Sequence, residues 1–326
     1  MQLHKLQRPS AVSKASQYKI TNWSEYNQAL KDRGSLEVWI DSQVEERWYY
    51  RGETQRGAQY RYSDECIELA ATLRELYKLP YRQTQGFLKS LIRLAGWNLR
   101  VPDYTIINRR RKYLRIRITA AGERSAKKYI LIDSTGLKVY GEGEWKVRQH
   151  GWSKRRTWKK IHLTSDEATG LIESCAMTSN STDDAQMAGR LLRDVEGEIS
   201  AFVGDGAYDK KMVYEELARR NIKPTIPPRK GARVWKHGNT KGERMARDEN
   251  IRDVRQLGLA QWKRESNYHR RSKIENTMFR IKTIFSDRLT SRNILQQHVE
   301  VNLKCRILNR MTKLGMPISY KISNVA

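Results

Sequence analysis

The chain has 326 residues, of which 63 are Lys or Arg and 36 are Asp or Glu, so its formal net charge is +27 and its isoelectric point is near 10.1. This length is enough for two or three subdomains, and the excess positive charge favours a polyanionic partner, although a generically basic protein such as a ribosomal protein would share it. Three widely spaced cysteines argue against a disulfide scaffold or a structural zinc site, and no apolar run approaches the roughly 20 residues of a membrane span.

The first 120 residues are predicted to be mostly helical. Residues 1–20 have the composition of a basic flexible arm without a secretory apolar core, so we expect a protein that stays in the reducing cytoplasm. A helix follows, capped by Thr21 or Asn22, with Trp23, Tyr26 and Leu30 on its apolar face.

Three further helices are predicted within residues 63–115. Ser63 can cap a helix that runs to Tyr77, and residues 81–94 carry apolar side chains at helical spacing. Asp103 begins a third helix that leads into a run of basic residues. Such a set fits either a helix-turn-helix-like module, which inserts its last helix into a DNA groove, or an ordinary three-helix unit with a solvated basic face.

Strands and helices are predicted to alternate from Lys128 onward. The predicted strands cover residues 130–133, 158–164, 170–177, 199–205 and 222–226, and the predicted helices cover 183–195 and 211–220. Because the first and fourth strands are apolar, we expect a sheet that is covered on both faces. A last apolar-faced helix, from Leu303 to Lys321, packs either on this core or against another subunit.

Three acidic residues are candidates for chemistry. Asp133 and Asp205 end apolar, β-prone segments, and Glu275 lies in a later helix. Two strand-end aspartates and a helical glutamate are the oxygen ligands that a pair of hard divalent ions requires, and such a pair, about 4 Å apart, promotes phosphodiester chemistry. Each residue also has a plain structural reading, since the aspartates adjoin turn-forming residues and the glutamate could form a helix ion pair. Asp183, Asp184 and Asp209 are expected to cap or start helices.

A polar stripe accompanies the glutamate. At about 100° per residue in a helix, Tyr268, Arg271, Glu275 and Lys282 fall within an arc of roughly 60°. The two cations beside the glutamate would contact phosphates. The same helix has an apolar face, whereas Phe279 projects near the stripe without a predicted role.

The spacing Tyr-x2-Arg-x3-Glu-x6-Lys resembles the signature of DDE transposases of bacterial insertion sequences. Three more segments match in order: IDSTGLKVYGEGEWK around Asp133, DGAYD around Asp205, and IPPRKGA at residues 226–232. The resemblance runs from about residue 17 to the C-terminus. It implies an α/β fold with an RNase-H-like mixed sheet flanked by helices over residues 128–326, preceded by a mostly helical DNA-binding region over residues 21–120.

The resemblance also implies a mechanism and partners. Asp133, Asp205 and Glu275 would ligate two Mg²⁺ ions, for which Mn²⁺ can substitute, and no nucleotide cofactor would be needed. The partners would be double-stranded DNA, as inverted-repeat ends and as target, and a second copy of the chain in a homodimer or larger assembly on DNA. A membrane would play no part.

Predicted DNA contacts extend beyond the stripe. The resemblance favours DNA binding by residues 63–115. Residues 145–160 interleave aromatic rings with cations, as in single-strand binding surfaces, and residues 227–267 are predicted to be a flexible basic insertion. The predicted contacts outside the stripe are Arg109, Arg110, Arg111, Lys112, Trp152, Arg155, Arg156 and Lys230.

Two other functions stay open at this point. One is a transposase-derived DNA-binding protein that no longer cuts, and the other is an RNase-H-like nuclease that hydrolyses without joining. The intact acidic residues and signature argue against the first. The sequence has no GxxxxGK[ST] segment and no HExxH segment, so a nucleotide-hydrolysing loop and a zinc-protease site are not expected.

Overall fold

Five helices and a short strand form the N-terminal part of the computed structural model, which describes residues 18–53, 57, 60–118, 127–139, 158–235 and 245–322. These elements are β1 (Tyr18–Ile20), α1 (Trp23–Asp32), α2 (Leu36–Trp39), α3 (Asp64–Tyr77), α4 (Tyr81–Leu94) and α5 (Tyr104–Arg111). The three helices predicted within residues 63–115 are therefore present. Most of the predicted basic arm, residues 1–17, lies outside the described residues.

Local capping explains where these helices begin. The Ser63 side chain accepts a hydrogen bond from the backbone N–H of Cys66 at 3.0 Å, and α3 starts at the next residue. Asp103 does the same for α5 by accepting from the N–H of Thr105 at 2.9 Å. Both caps were readable from the sequence because they depend on neighbours within three residues.

The predicted apolar face of α1 is wrong for two of its three residues, and Tyr26 is half-buried. Trp23 is 57% exposed and Leu30 is also exposed, whereas Ala29 is buried. The reason is that α1 packs its small side against the end of the last helix, where Gly315 approaches Ala29 closely. Side-chain size at a close helix contact decided the buried face, not hydrophobicity.

The remaining elements build a six-stranded mixed sheet, its flanking helices and a terminal strand. The strands are β2 (Lys128–Val139), β3 (Trp158–Asp166), β4 (Ile172–Ser179), β5 (Ile199–Val203), β6 (Lys223–Thr225), β7 (Arg288–Leu289) and β8 (Ser319–Lys321). The helices are α6 (Asp184–Arg193), α7 (Lys211–Arg219), α8 (Ala246–Leu257), α9 (Leu259–Glu265), α10 (Ser272–Phe285) and α11 (Ile294–Leu314), with 3₁₀ turns at Gly206–Tyr208 and Tyr268–Arg271. β8 pairs with β1 in a separate two-stranded sheet.

The strand order is β4-β3-β2-β5-β6. β7 also pairs with β2, farther along β2 than the segment that pairs with β5. β2, β3 and β4 pair antiparallel, whereas β5 is parallel to β2 and β6 is parallel to β5. The first and fourth strands of the predicted order are thus neighbours. This confirms the prediction of an RNase-H-like mixed sheet flanked by helices.

Helices cover both faces of the sheet, as predicted. Successive side chains of β2 point to opposite faces, so Leu131 joins one apolar core while Ile130 and Ile132 join another. The Leu131 core also contains residues of α3, α4, α10 and α11, such as Ile67. The N-terminal helices therefore share a core with the sheet instead of forming a body of their own.

The last helix packs on the core, which decides between its two predicted roles. In α11 the side chains of Ile307, Leu308 and Met311 are buried in the Leu131 core. The helix begins at Ile294, well before the predicted Leu303, because Asn293 caps it. It ends at Leu314, and the predicted continuation forms β8 instead. Within the described ranges, no helix is both long and apolar enough to cross a membrane.

A buried charge network lies where α11 begins. Glu300 is fully buried and accepts hydrogen bonds from Lys304 Nζ at 2.7 Å and from the backbone N–H groups of Thr290 and Ser291, both at 2.9 Å. Burial by itself raises the pKa of Glu300, but Lys304, the Arg111 guanidinium and these hydrogen bonds outweigh it and lower the pKa to about 2.

This network predicts a loss of stability in acid. Because the folded pKa of Glu300 lies below the unfolded value of 4.5, its contribution is present above pH 4.5 and is lost as the pH falls toward 2. The full difference corresponds to about 3 kcal/mol. Urea unfolding at several pH values should show a gap between wild type and Glu300→Gln that narrows below pH 4.5. A gap that stays constant would contradict the network, and Glu198→Gln, at an exposed ion pair, serves as the control.

Candidate active site

Asp133 and Asp205 lie at the same edge of the sheet. The parallel pairing of β2 with β5 ends at Leu131 and Val203, and each aspartate comes two residues later. β2 itself continues, because β3 pairs along its length, so Asp133 lies in mid-strand and not at a strand end as predicted. The Asp205 side chain caps the following 3₁₀ turn by accepting from the N–H of Ala207 at 2.8 Å.

The Arg271 guanidinium connects these aspartates with Glu275. Its Nη2 lies 3.3 Å from Asp133 Oδ2 and 3.8 Å from Asp205 Oδ2, and its Nη1 donates a hydrogen bond to Glu275 Oε1. Glu275 occupies the first turn of α10, and its side chain is 55% exposed. Three carboxylates, one within β2, one just after β5 and one on α10, therefore converge on a single cation.

Opposing effects set the protonation of this group. Burial raises the pKa of Asp133, and the charges of Asp205 and Glu275 raise it too, while Arg271 and the N–H of Ser134 lower it; the net shift is upward. For Arg271, burial lowers the pKa, but the surrounding carboxylates outweigh it and the net shift is upward. Arg271 therefore offsets part of the cost of burying the Asp133 charge, and the guanidinium itself stays charged.

The donor set suits a hard divalent cation. All three candidate ligands are carboxylates, and Mg²⁺ and Mn²⁺ prefer oxygen. Among the described residues, no group of three or more His, Cys, Asp or Glu side chains is already arranged to hold a metal ion. The carboxylates instead surround the Arg271 guanidinium, which shows that the site accepts positive charge.

The predicted polar stripe is divided between two elements. Tyr268 and Arg271 lie in the 3₁₀ turn that precedes α10, because Asn267 adopts a left-handed conformation and interrupts the helical path. Glu275 and Lys282 are in α10 itself. The Tyr268 ring packs 6.2 Å from the Trp262 ring, and burial raises the pKa of its hydroxyl.

The apolar face of α10 is buried as predicted. Ile274, Met278, Ile281 and Phe285 all join the Leu131 core. Phe279, which had no predicted role, is 68% exposed and one turn beyond Glu275.

The loop after Asp205 is held by contacts that sequence reasoning missed. Asp209, predicted to start a helix, is buried instead: it accepts from Arg247 Nε at 2.6 Å and from the N–H of Arg229 at 3.0 Å. The Arg229 side chain donates to the backbone oxygens of Gly206 at 2.7 Å and Ala207 at 3.0 Å. The DGAYD and IPPRKGA segments are thus held together by hydrogen bonds. Neither segment contains a local sequence pattern that would have predicted this contact.

Tyr208 was also missed, although it lies within DGAYD. Its ring is buried under the site, where a Cβ at Gly204 would come within 2.8 Å of it. Burial raises the pKa of Tyr208 well above its usual value, and Asp184, Asp133 and Asp205 add to the shift. The Tyr208 ring packs in the core that contains Ile130 and Ile132, with its centroid 5.9 Å from that of Phe202.

Two predicted DNA contacts are corrected by their burial. Arg111 is completely buried, and its Nη2 donates to Glu75 Oε1 at 2.8 Å. Arg110 is 9% exposed, pairs with Asp64 Oδ1 at 2.5 Å and lies over the Tyr60 ring at 4.1 Å. These guanidiniums connect α5 to neighbouring elements, so they are not available to phosphates.

The other predicted contacts differ in position. Arg109 and Lys230 are exposed, and Lys112 is half-buried beside Tyr113. Trp152, Arg155 and Arg156 lie outside the described residues.

The predicted flexible insertion at 227–267 is largely structured, because α8 and α9 form within it and Arg247 is buried against Asp209. Residues 236–244 of that insertion lie outside the described residues.

Comparisons with known proteins identify the family of this chain. Two family models match, both described as a transposase DDE domain, over residues 31–142 and 124–310. The second covers more than half of the chain and includes Asp133, Asp205 and Glu275. A cryo-EM structure of the piggyBac transposase synaptic complex with hairpin DNA aligns with 92% of this chain and 78% of that one. The sequence identity is 11% and the TM-score is 0.35. The chain belongs to the DDE transposase family, whose domain implies a polynucleotidyl transferase that depends on a divalent metal and acts on DNA.

Proposed function

We propose that this protein is the transposase of a bacterial insertion sequence. It binds the terminal inverted repeats, cleaves the ends and joins the 3′-OH to target DNA. The observation that carries the proposal is the convergence of Asp133, Asp205 and Glu275 on one cation at the edge of the sheet. The matched signature segments support the insertion-sequence branch.

The triad would hold two Mg²⁺ ions, with Mn²⁺ able to substitute. When bound, such ions polarise the attacked phosphate and stabilise charge on the attacking and leaving oxygens. The rigid sheet edge holds Asp133 and Asp205 in place, and α10 brings Glu275 to them, so the chain orients the reactants for in-line displacement.

The chemistry consists of two successive displacements at phosphorus. In the first, water attacks the phosphorus at the transposon end, the bond to O3′ breaks, and the end leaves as a 3′-OH. In the second, that hydroxyl attacks a target phosphorus and the target O3′ leaves. Each step forms one P–O bond and breaks one, so no nucleotide cofactor is required.

Cations around the triad would hold DNA. Arg271 contacts Glu275, Tyr268 lies in the turn before α10, and Lys282 lies in the last turn of α10, while Arg109, Lys112 and Lys230 supply positive charge elsewhere on the surface. We propose that residues 21–120 form a helical DNA-binding region and residues 128–326 the catalytic region. Because both ends must be held together, we propose a homodimer or larger assembly on DNA.

The test uses linear DNA that carries the inverted repeats flanking the encoding gene. With Mg²⁺, we expect cuts at the repeat ends and joined products, and neither without metal. Repeat-specific binding without cutting would overturn the proposal in favour of a DNA-binding protein. Cutting without joining would overturn it in favour of a nuclease.

Phosphate contacts should be visible in the salt dependence of DNA affinity. If Lys282 contacts a phosphate, Lys282→Ala should reduce the slope of log affinity against log salt by about 1, uniformly across DNA sequences. Fluorescence anisotropy over a range of NaCl concentrations measures this slope. Lys211→Ala, on α7, is the control and should leave it unchanged. An unaltered slope in Lys282→Ala would remove Lys282 from the DNA surface.

A further inference from the structure

One guanidinium occupies the centre of the acidic triad. Arg271 is within 4 Å of a carboxylate oxygen of Asp133, Asp205 and Glu275, and its side chain is only 15% exposed. Its Nε is buried and has no hydrogen-bond acceptor among the described residues. This residue is therefore placed by charge attraction to three acids, not by a complete set of hydrogen bonds.

The neighbouring cations point elsewhere. Lys273 Nζ lies 2.5 Å from Glu167 Oε1, and Arg270 Nη1 lies 3.5 Å from Glu167 Oε2. Glu167 directly follows β3, away from the triad. Of the cations at the start of α10, Arg271 is the one that faces the three carboxylates.

We propose that Arg271 is a built-in counter-ion that occupies the triad in the metal-free protein and exchanges its carboxylates for a DNA phosphate when divalent cations bind. This proposal rests on the proposed function, in which the same triad holds the metal. It adds that metal and DNA binding are coupled through this side chain.

Electrostatics supports the exchange. A guanidinium and a divalent ion compete for the same carboxylate oxygens and repel each other at close range. Arginine's planar fork matches a phosphate as well as a carboxylate, so a DNA strand at the triad offers it an equivalent partner. In the metal-free protein, Arg271 thereby neutralises part of the charge of three neighbouring carboxylates. When DNA binds Arg271, these carboxylates become available to metal ions.

Thermodynamic linkage makes the coupling between metal binding and DNA binding measurable. If DNA captures Arg271, then DNA must raise metal affinity by the same factor by which metal raises DNA affinity. Removing Arg271 should raise metal affinity in the free protein and should abolish the enhancement by DNA. An arginine that merely supports the site would do the opposite, since its loss would weaken metal binding.

The experiment is calorimetric titration of Mn²⁺ into the full chain, with and without a repeat-end duplex. Wild type should bind Mn²⁺ about tenfold more tightly with DNA, within the usual range of coupling factors. Arg271→Gln should bind Mn²⁺ about tenfold more tightly than wild type without DNA, and DNA should add little. Lys273→Ala, whose ammonium group faces Glu167 and not the triad, should keep the Mn²⁺ affinity of wild type without DNA.

Equal or weaker Mn²⁺ binding by Arg271→Gln would overturn the exchange. Asp133→Asn in the same titration separates this failure from failure of the proposed function, because an unchanged Mn²⁺ affinity there would show that the triad is not the metal site. Thermal melting gives a second reading: Mn²⁺ should raise the melting temperature of Arg271→Gln more than that of wild type. For Arg271→Lys, which keeps the charge, the increase in melting temperature caused by Mn²⁺ should lie between the increases for those two proteins.

Discussion

Replacing Asp133, Asp205 or Glu275 by its amide should abolish cleavage and joining while sparing DNA binding. Asn and Gln keep the shape of the side chain but remove the negative charge that a divalent ion requires. Losing several kcal/mol of transition-state stabilisation corresponds to a rate loss of at least about a thousandfold. DNA affinity should stay within about twofold or increase, because an acid that repels phosphate has been neutralised.

The measurement is single-turnover cleavage and strand transfer with Mg²⁺, together with repeat-end binding by anisotropy. Asp183→Asn is the matched control: Asp183 is also an aspartate near a strand end, but it caps α6 and pairs with Lys210. It should cut at nearly the rate of wild type. Normal cutting by Asp133→Asn would remove that residue from the chemistry.

The Arg111→Ala substitution should unfold the protein more readily instead of weakening DNA binding directly. Arg111 is fully buried, donates to Glu75, to the Tyr81 hydroxyl at 3.2 Å and to Ser291 Oγ at 3.2 Å, and so ties α5 to α3, α4 and the segment before α11. Removing Arg111 leaves Glu75 with Arg74 as its remaining ion-pair partner, so we expect a loss of about 3 kcal/mol, the low end of the range for a broken buried ion pair.

Urea unfolding at neutral pH measures this loss, and Arg109→Ala provides the comparison on the same helix. Because Arg109 is exposed, its loss should change the free energy of unfolding by about 0.5 kcal/mol or less. We expect that variant to affect DNA affinity alone. If Arg111→Ala were stable and bound DNA more weakly, Arg111 would be a DNA contact, as the sequence predicted.

Neighbouring basic residues show why the sequence could not assign these roles. Arg109, Arg110 and Arg111 are adjacent and chemically identical, and the pattern predicted one DNA-contacting set. A helix turns about 100° per residue, so three consecutive side chains point in three directions. Which direction faces protein depends on where α3 and α11 lie, and that is information from distant parts of the chain.

Features with local causes were predictable from the sequence. The caps Ser63 and Asp103, the bounds of α4, the apolar face of α10 and the order of strands and helices all depend on near neighbours or on repeating periodicity. The candidate triad came from spacing and resemblance. Only the tertiary structure decided the continuation of β2 past Asp133, the burial of Asp209 with Arg247, and the position of Arg271 among three acids. Those outcomes depend on long-range packing and charge neutralisation, for which a linear pattern carries no local signal.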